Sequence, residues 1–134
     1  MNTKSIIRNT MKLAIKKSGS EKFVIVKVKG AITRERAMKN NIKAHEFGEK
    51  YGTNKYLVDL TEARNTEGTI GNYKFAYEDM NNPPQPIKKN AYVAMVVAPN
   101  DSSHDFVEIV AQNSGLNVKK FTCVKTAESF LLNV

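Results

Sequence analysis

Residues 91–98, Ala-Tyr-Val-Ala-Met-Val-Val-Ala, form a nearly unbroken apolar run. The run falls far short of the roughly 18 residues a membrane helix needs. It also lacks the alternation of a strand with one wet face. A strand that is apolar on both sides has to be covered on both sides, which is the condition inside a parallel sheet. A shorter run, Tyr56-Leu57-Val58-Asp59-Leu60, reads the same way. These two segments should therefore be central strands.

Two other segments alternate. In Met11-Lys12-Leu13-Ala14-Ile15-Lys16-Lys17, Leu13 and Ile15 share a face. In Phe23-Val24-Ile25-Val26-Lys27-Val28-Lys29, Val24, Val26 and Val28 do. Ser18-Gly19-Ser20-Glu21-Lys22 supplies the turn, so the pair reads as a β-hairpin with lysines on its wet face. Gly30-Ala31-Ile32 breaks the pattern, Thr33 caps a helix over 34–50, and Gly52 stops it. Met38 and Ile42 align on that helix, with Ala44 and Phe47 turned away from them. After the strand at 56–60 comes a polar loop, 61–69. It opens a helix whose stripe is Ile70, Tyr73, Tyr77 and Met80. Residues 81–86 carry three of the four prolines and form a loop. Ser102 or Ser103 caps a third helix with Phe106, Ile109, Val110 and Asn113, closed by Gly115. A short strand at 118–122 and a terminal helix, capped by Thr126 and carrying Phe130 and Leu131, complete the chain.

The order ββαβαβαβα predicts one α/β domain over 11–134, preceded by a loose tail at 1–10. It has a mixed sheet of four to five strands, an N-terminal hairpin and about four helices. A chain of 134 residues, 41% hydrophobic and 25% charged, suits one globular domain. No secretory hydrophobic region opens the chain, and Cys123 is the single cysteine. The expected compartment is thus the cytoplasm. Cys123 itself reads as a small, buried or half-buried residue rather than a reactive thiol. The net charge of +8 is uneven. Residues 1–30 hold eight basic side chains against one acid, Glu21; residues 31–134 hold thirteen against twelve. The basic character belongs to the hairpin and its leader. No interleaved aromatics and no base-reading motif accompany it, so specific nucleic-acid binding is not expected.

The ordered elements resemble the STAS domain and its SpoIIAA-like relatives. Val26-Lys27-Val28-Lys29-Gly30-Ala31-Ile32-Thr33 is similar to that family's second strand, glycine and helix start. Leu57-Val58-Asp59-Leu60-Thr61 is similar to its hydrophobic-Asp-Leu-Ser/Thr strand. Residues 90–97, 118–121 and 127–131 resemble the C-terminal half, and Phe75-Ala76-Tyr77-Glu78-Asp79 resembles the end of the second helix. The resemblance implies a regulatory or ligand-binding, non-enzymatic domain with no cofactor, acting through the loop and helix after the third strand. One departure is material. Anti-sigma-factor antagonists of this family carry Asp-Ser-Ser-Gly there, with a serine that is phosphorylated. Here the corresponding loop is Thr66-Glu67-Gly68-Thr69, without serine. The antagonist function is therefore not implied.

The candidate binding residues are Asp59, Thr66, Thr69, Tyr73, Phe75 and Tyr77. Asp59 could orient the loop or bind a cation, or simply accept N–H groups of the following turn. Thr69 and Thr66 are hydroxyls near a helix start, where a phosphate would meet the helix dipole, or they are ordinary caps. The surplus aromatics Tyr73, Phe75 and Tyr77 suggest a contact surface for a protein partner, a small apolar or anionic ligand, or a second copy in a homodimer. His104 and Glu108 share a helix face at i,i+4 spacing, but no further His or Cys stands at metal-ligand spacing, so a solvated helix start is expected and no metal is assigned. Two other function classes remain open: a binder of anionic surfaces or polymers through the lysine-rich hairpin, and an enzyme using Asp59, Glu78 or Asp79.

Overall fold

The computed structural model describes residues 11–68, 71, 74, 78, 90–113 and 115–134. Five strands form one sheet in the order β1-β2-β3-β4-β5. β1 (Met11–Lys17) pairs antiparallel with β2 (Val24–Ile32), with Met11 opposite Gly30 and Lys17 opposite Val24. β3 (Lys55–Asn65), β4 (Tyr92–Val96) and β5 (Asn117–Phe121) then add in parallel. Both apolar runs are interior strands, as their two-sided apolarity requires. The described residues include three helices, α1 (Arg34–Tyr51), α2 (Asp105–Asn113) and α3 (Val124–Leu132).

The sheet has two unlike faces. On the first, Val24, Val26, Val28, Leu60, Val93, Met95 and Val118 pack beneath α1 and α2, which contribute Ala44 and Ala111. On the second, Phe23, Leu57, Ala94 and Val96 pack beneath α3 through Ala127 and Leu131. β4 supplies side chains to both clusters in alternation, and this is why its sequence shows no polar face.

The helix over 34–50 forms as its signals predict. Thr33 accepts a hydrogen bond from Arg36 N (3.4 Å), and Gly52 ends the helix in the left-handed region at φ 71°. The buried stripe, however, is not the Met38/Ile42 line. It is Asn40, Ala44, His45 and Gly48. Small and polar residues are needed there because the Tyr56 ring lies under the helix. A Cβ at Gly48 would fall 2.0 Å from the Tyr56 hydroxyl oxygen. His45 stacks on the same ring with centroids 4.6 Å apart.

Strand β3 is longer than expected. Residues 61–65 continue the strand and are not a loop. The alternation fails in sequence because the ladder slips between Lys27 and Lys29. Lys27 pairs with Asp59, and Lys29 pairs with Glu62. The extra residue puts Leu60 and Ala63, three apart, on the same buried face. Such a bulge hides the period of two from inspection. β2 also runs through Gly30, whose φ of 99° is open to glycine, and ends at Ile32.

Candidate functional site

The C-terminal ends of β2 and β3 meet the start of α1 and the turn that leads from β4 into α2. Open α/β sheets place their sites at this rim. Thr66 is exposed, and it closes the β2–β3 ladder: its N–H donates to the Ile32 carbonyl (2.9 Å) and its hydroxyl to the same oxygen (3.0 Å). Glu67 then turns inward. Its carboxylate accepts from the Arg34 N–H at 2.7 Å, in the first turn of α1. There the unsatisfied amides and the helix dipole favour a negative charge. The Asn65 side chain accepts from the Glu67 N–H (3.0 Å), and the Asn65 N–H donates to the Ser103 hydroxyl (3.1 Å). Ser103 in turn donates its N–H to the Asp101 carboxylate (2.9 Å). A chain of short polar contacts therefore runs from the start of α1, through the end of β3, to the β4–α2 turn.

His104 anchors that turn. Its ring is only 5% exposed. Burial lowers its pKa, outweighing the Ala63 hydrogen bond and the Asp101 and Asp105 charges that act to raise it. The neutral ring carries its proton on Nε2, which donates to the Ala63 carbonyl of β3 (3.3 Å), with Asp101 Oδ2 3.5 Å away. For Asp101, burial acts to raise the pKa. The Ser103 hydrogen bonds, with the Arg64 charge, outweigh it and hold the carboxyl below its ordinary value.

The solvated helix start expected at 104–108 is thus corrected. His104 ties to β3, Glu108 accepts from the Lys120 N–H of β5, and Asp105 pairs with the Lys120 ammonium. Their i,i+4 spacing aims them at different strands and gathers no ligand set. Neither serine has its expected role as cap, since α2 begins at Asp105 and the Ser103 hydroxyl serves Asn65.

Above this framework lies an open groove of about 370 Å³ with Gly30, Ala31, Glu62, Arg64, Thr66 and Asp101 among its lining residues. The Arg64 guanidinium is largely exposed and lies 3.9 Å from Asp101. Beneath the rim, a cavity of about 100 Å³ is lined by residues that include Val28, Leu60, Met95, Val107 and His104.

Of the residues singled out in sequence, Thr66 stands on the rim. Asp59 does not. It lies within β3 and accepts from the N–H and hydroxyl of Thr61 (3.0 and 2.7 Å), holding the bulge, with the Lys27 ammonium at 3.9 Å. Thr69, Tyr73, Phe75, Tyr77 and Asp79 lie outside the described residues. Glu78 pairs with Arg34 (3.7 Å). The rim residues that sequence reasoning missed are Asn65, Glu67, Arg64 and Asp101. The usable signal was Asn-Thr-Glu before Gly68, a polar cluster at the end of an apolar strand.

Cys123 also departs from expectation. It is exposed and stands at the N-cap of α3. The Thr126 and Lys125 N–H groups lower its pKa. Thr126 is not the cap; its hydroxyl donates back to the Cys123 carbonyl (2.9 Å).

No family model matches the sequence, and no curated protein matches it. Solved structures do. An anti-sigma factor antagonist from Mycobacterium paratuberculosis superposes with a TM-score of 0.58 at 12% identity, over 92% of this chain and 96% of that one. The fold is SpoIIAA-like. An uncharacterised protein of the DUF3478 family from Shewanella loihica, itself described as having a SpoIIAA-like fold, gives 0.55 at 16% identity, over 90% and 93% of the two chains. At these identities the likeness concerns architecture. It agrees with the mixed five-stranded sheet and the opening hairpin of this chain. Among the described residues, no helix is long and apolar enough to cross a membrane.

Proposed function

We propose that this chain is a regulatory binding domain that engages a protein partner through the rim at residues 64–67 and 101, with Thr66 as its switch hydroxyl. The observation that carries this reading is the pairing of Thr66 and Glu67. Thr66 presents an exposed hydroxyl in a groove shared with Arg64. The next residue fills the helix N-terminus with its own carboxylate. A phosphoryl group on Thr66 would bring roughly two negative charges beside Glu67 and within the field of Arg64. The rim, where the Glu67 and Asp101 carboxylates already outnumber the Arg64 guanidinium, would then become markedly more negative. The SpoIIAA-like architecture, shared with a protein named as an anti-sigma factor antagonist, favours a protein partner.

The catalytic reading finds less support. Asp59 is engaged by Thr61 and Lys27, and Glu78 by Arg34, so these two acids serve different contacts. A homodimer through residues 70–80 remains a proposal that sedimentation tests directly.

The test of the rim is a photo-crosslinking residue placed at Thr66, compared with one at the exposed Lys125 on α3. The expected result is a defined protein adduct from position 66 alone, lost when Arg64→Glu is added. Identical adducts from both positions, or none from position 66, would sink the proposal.

A further inference from the structure

On the second face of the sheet, α3 packs against β3, β4 and β5. Among the described residues, no helix covers the β1–β2 half of that face. The register fixes what is displayed there: Lys12 lies opposite Lys29, Ala14 opposite Lys27, and Lys16 opposite Ile25. Lys12, Ala14, Lys16 and Lys29 are exposed. β3 adds Asp59 beside Lys27 and Glu62 beside Lys29. Glu62 is shared, at 3.2 Å from the Lys27 ammonium and 3.6 Å from that of Lys29. Two carboxylates thus face four ammonium groups. Hydrogen bonding from Lys27, with the charges of Lys29 and Lys27, lowers the pKa of Glu62.

An edge strand is often protected by lysines, and β1 is an edge. β2 is not, so Lys27 and Lys29 serve no such purpose. Lys12 directly across from Lys29 is a like-charge pair, an arrangement that destabilises a sheet. An anionic group seated between them reverses that sign.

We propose that this half-face binds an acidic, amphipathic helix of a protein partner, lying beside α3 and completing the helix layer. Its apolar side rests on Ile25 and Ala14, and its carboxylates reach Lys12, Lys16 and Lys29. Three features select this occupant. A sheet face is normally covered by a helix or a second sheet, and among the described residues no helix lies over this half of the layer. Among the described residues, the half-face displays no exposed aromatic side chain on which bases could stack, as single-stranded nucleic acid requires. The positive excess is small, and adsorption to an anionic membrane grows with the number of unneutralised lysines.

The probe is a fluorescein-labelled helical peptide with leucine on one face and glutamate along its flanks, titrated at about 50 mM salt, where screening of surface charge is weaker than at physiological strength. The wild-type chain should bind it with micromolar affinity. Lys12→Glu with Lys16→Glu should weaken binding about tenfold, as expected from reversing two rim charges. Lys12→Gln with Lys16→Gln should give a smaller loss in the same direction. Lys39→Glu with Lys50→Glu makes the same change of net charge on the exposed side of α1 and should leave affinity unaltered. Near-ultraviolet circular dichroism confirms that each variant is folded. Absence of wild-type binding, or equal loss in both Glu pairs, overturns the proposal. So does equal or tighter binding, with the same dependence on Lys12 and Lys16, to phosphatidylserine vesicles or duplex DNA. Photo-crosslinking at position 66 reads the rim independently, so either surface can fail without the other.

Discussion

The two faces of the sheet are built by the same strands to different rules. On the first face, Val24, Val26 and Val28 of β2 are all buried under α1, and the apolar layer continues through β3 and β4 to β5. On the second, the apolar layer is full only where α3 lies, over Leu57, Ala94 and Val96. Along β2 and β3 toward their C-terminal ends, it passes from Ile25 and Leu57 to Lys27, Lys29, Asp59 and Glu62. The sequence of a strand therefore reports its helix cover. β4, covered on both sides, is uniformly apolar; β2, covered on one, alternates. A charged residue on β2 costs little because it keeps its hydration, whereas the same residue on β4 would lose it.

That contrast can be broken experimentally. The largest effect belongs to the covered half of the second face. Leu131 is 0% exposed, and Leu131→Ala should cost about 3 kcal/mol of stability. Val124→Ala, at a residue 43% exposed on the same helix, should change stability by no more than about 0.5 kcal/mol. Denaturant unfolding of both separates cover from mere helix membership. Comparable losses would mean that α3 is not held by its buried side.

His104→Gln should come next, with a loss of about 2 kcal/mol at pH 7.5 if the Ala63 carbonyl is left poorly paired. Its sharper signature is pH dependence. The native pKa is lowered by burial, so the unfolded chain takes up a proton first. Wild-type stability is then complete above about pH 6.5 and declines as the pH falls below it. Melting curves between pH 7.5 and 5 should show a shallower decline for the variant. An unchanged slope would assign the decline to other groups.

Smaller still is Asp59→Ala, about 1 kcal/mol, because the Thr61 N–H and hydroxyl lose their acceptor at the bulge. Hydrogen exchange should locate the loosening at residues 60–63; uniform loosening of the sheet would contradict a local role. Last, Lys27→Gln with Lys29→Gln should leave the thermal midpoint where it was, since exposed ion pairs contribute little. A clear fall would show that the charged half-face is itself a source of stability.

Much of this arrangement was legible. The hairpin, the two interior strands and the Thr33 and Gly52 helix ends follow from periodicity and turn chemistry. Each depends on residues close together in the chain. The rim was only half legible. Thr66 could be singled out as a hydroxyl near a helix start. Its neighbours could not, because the helix that Glu67 caps is α1, thirty-three positions away. Asn65 and Ser103 meet across thirty-eight positions, and His104 reaches Ala63 across forty-one. No local pattern encodes those distances. Asp59 was legible as an acceptor of N–H groups just beyond it, which Thr61 supplies, but not as the holder of a bulge that extends the strand.

By itself, the sequence determined where the hairpin, the two interior strands and the helix over 34–50 lie, which strands need cover on both faces, and where the basic charge resides. These properties rest on local backbone preference and on the period of apolar side chains, both carried by near neighbours. Only the tertiary structure decided that His104 is buried, that Cys123 is exposed and that Glu67 lies at the start of α1. It also decided that four hairpin lysines share an open half-face with two carboxylates. Burial and electrostatics depend on which distant elements the sheet register brings together, and the register here turns on a one-residue slip opposite Val28.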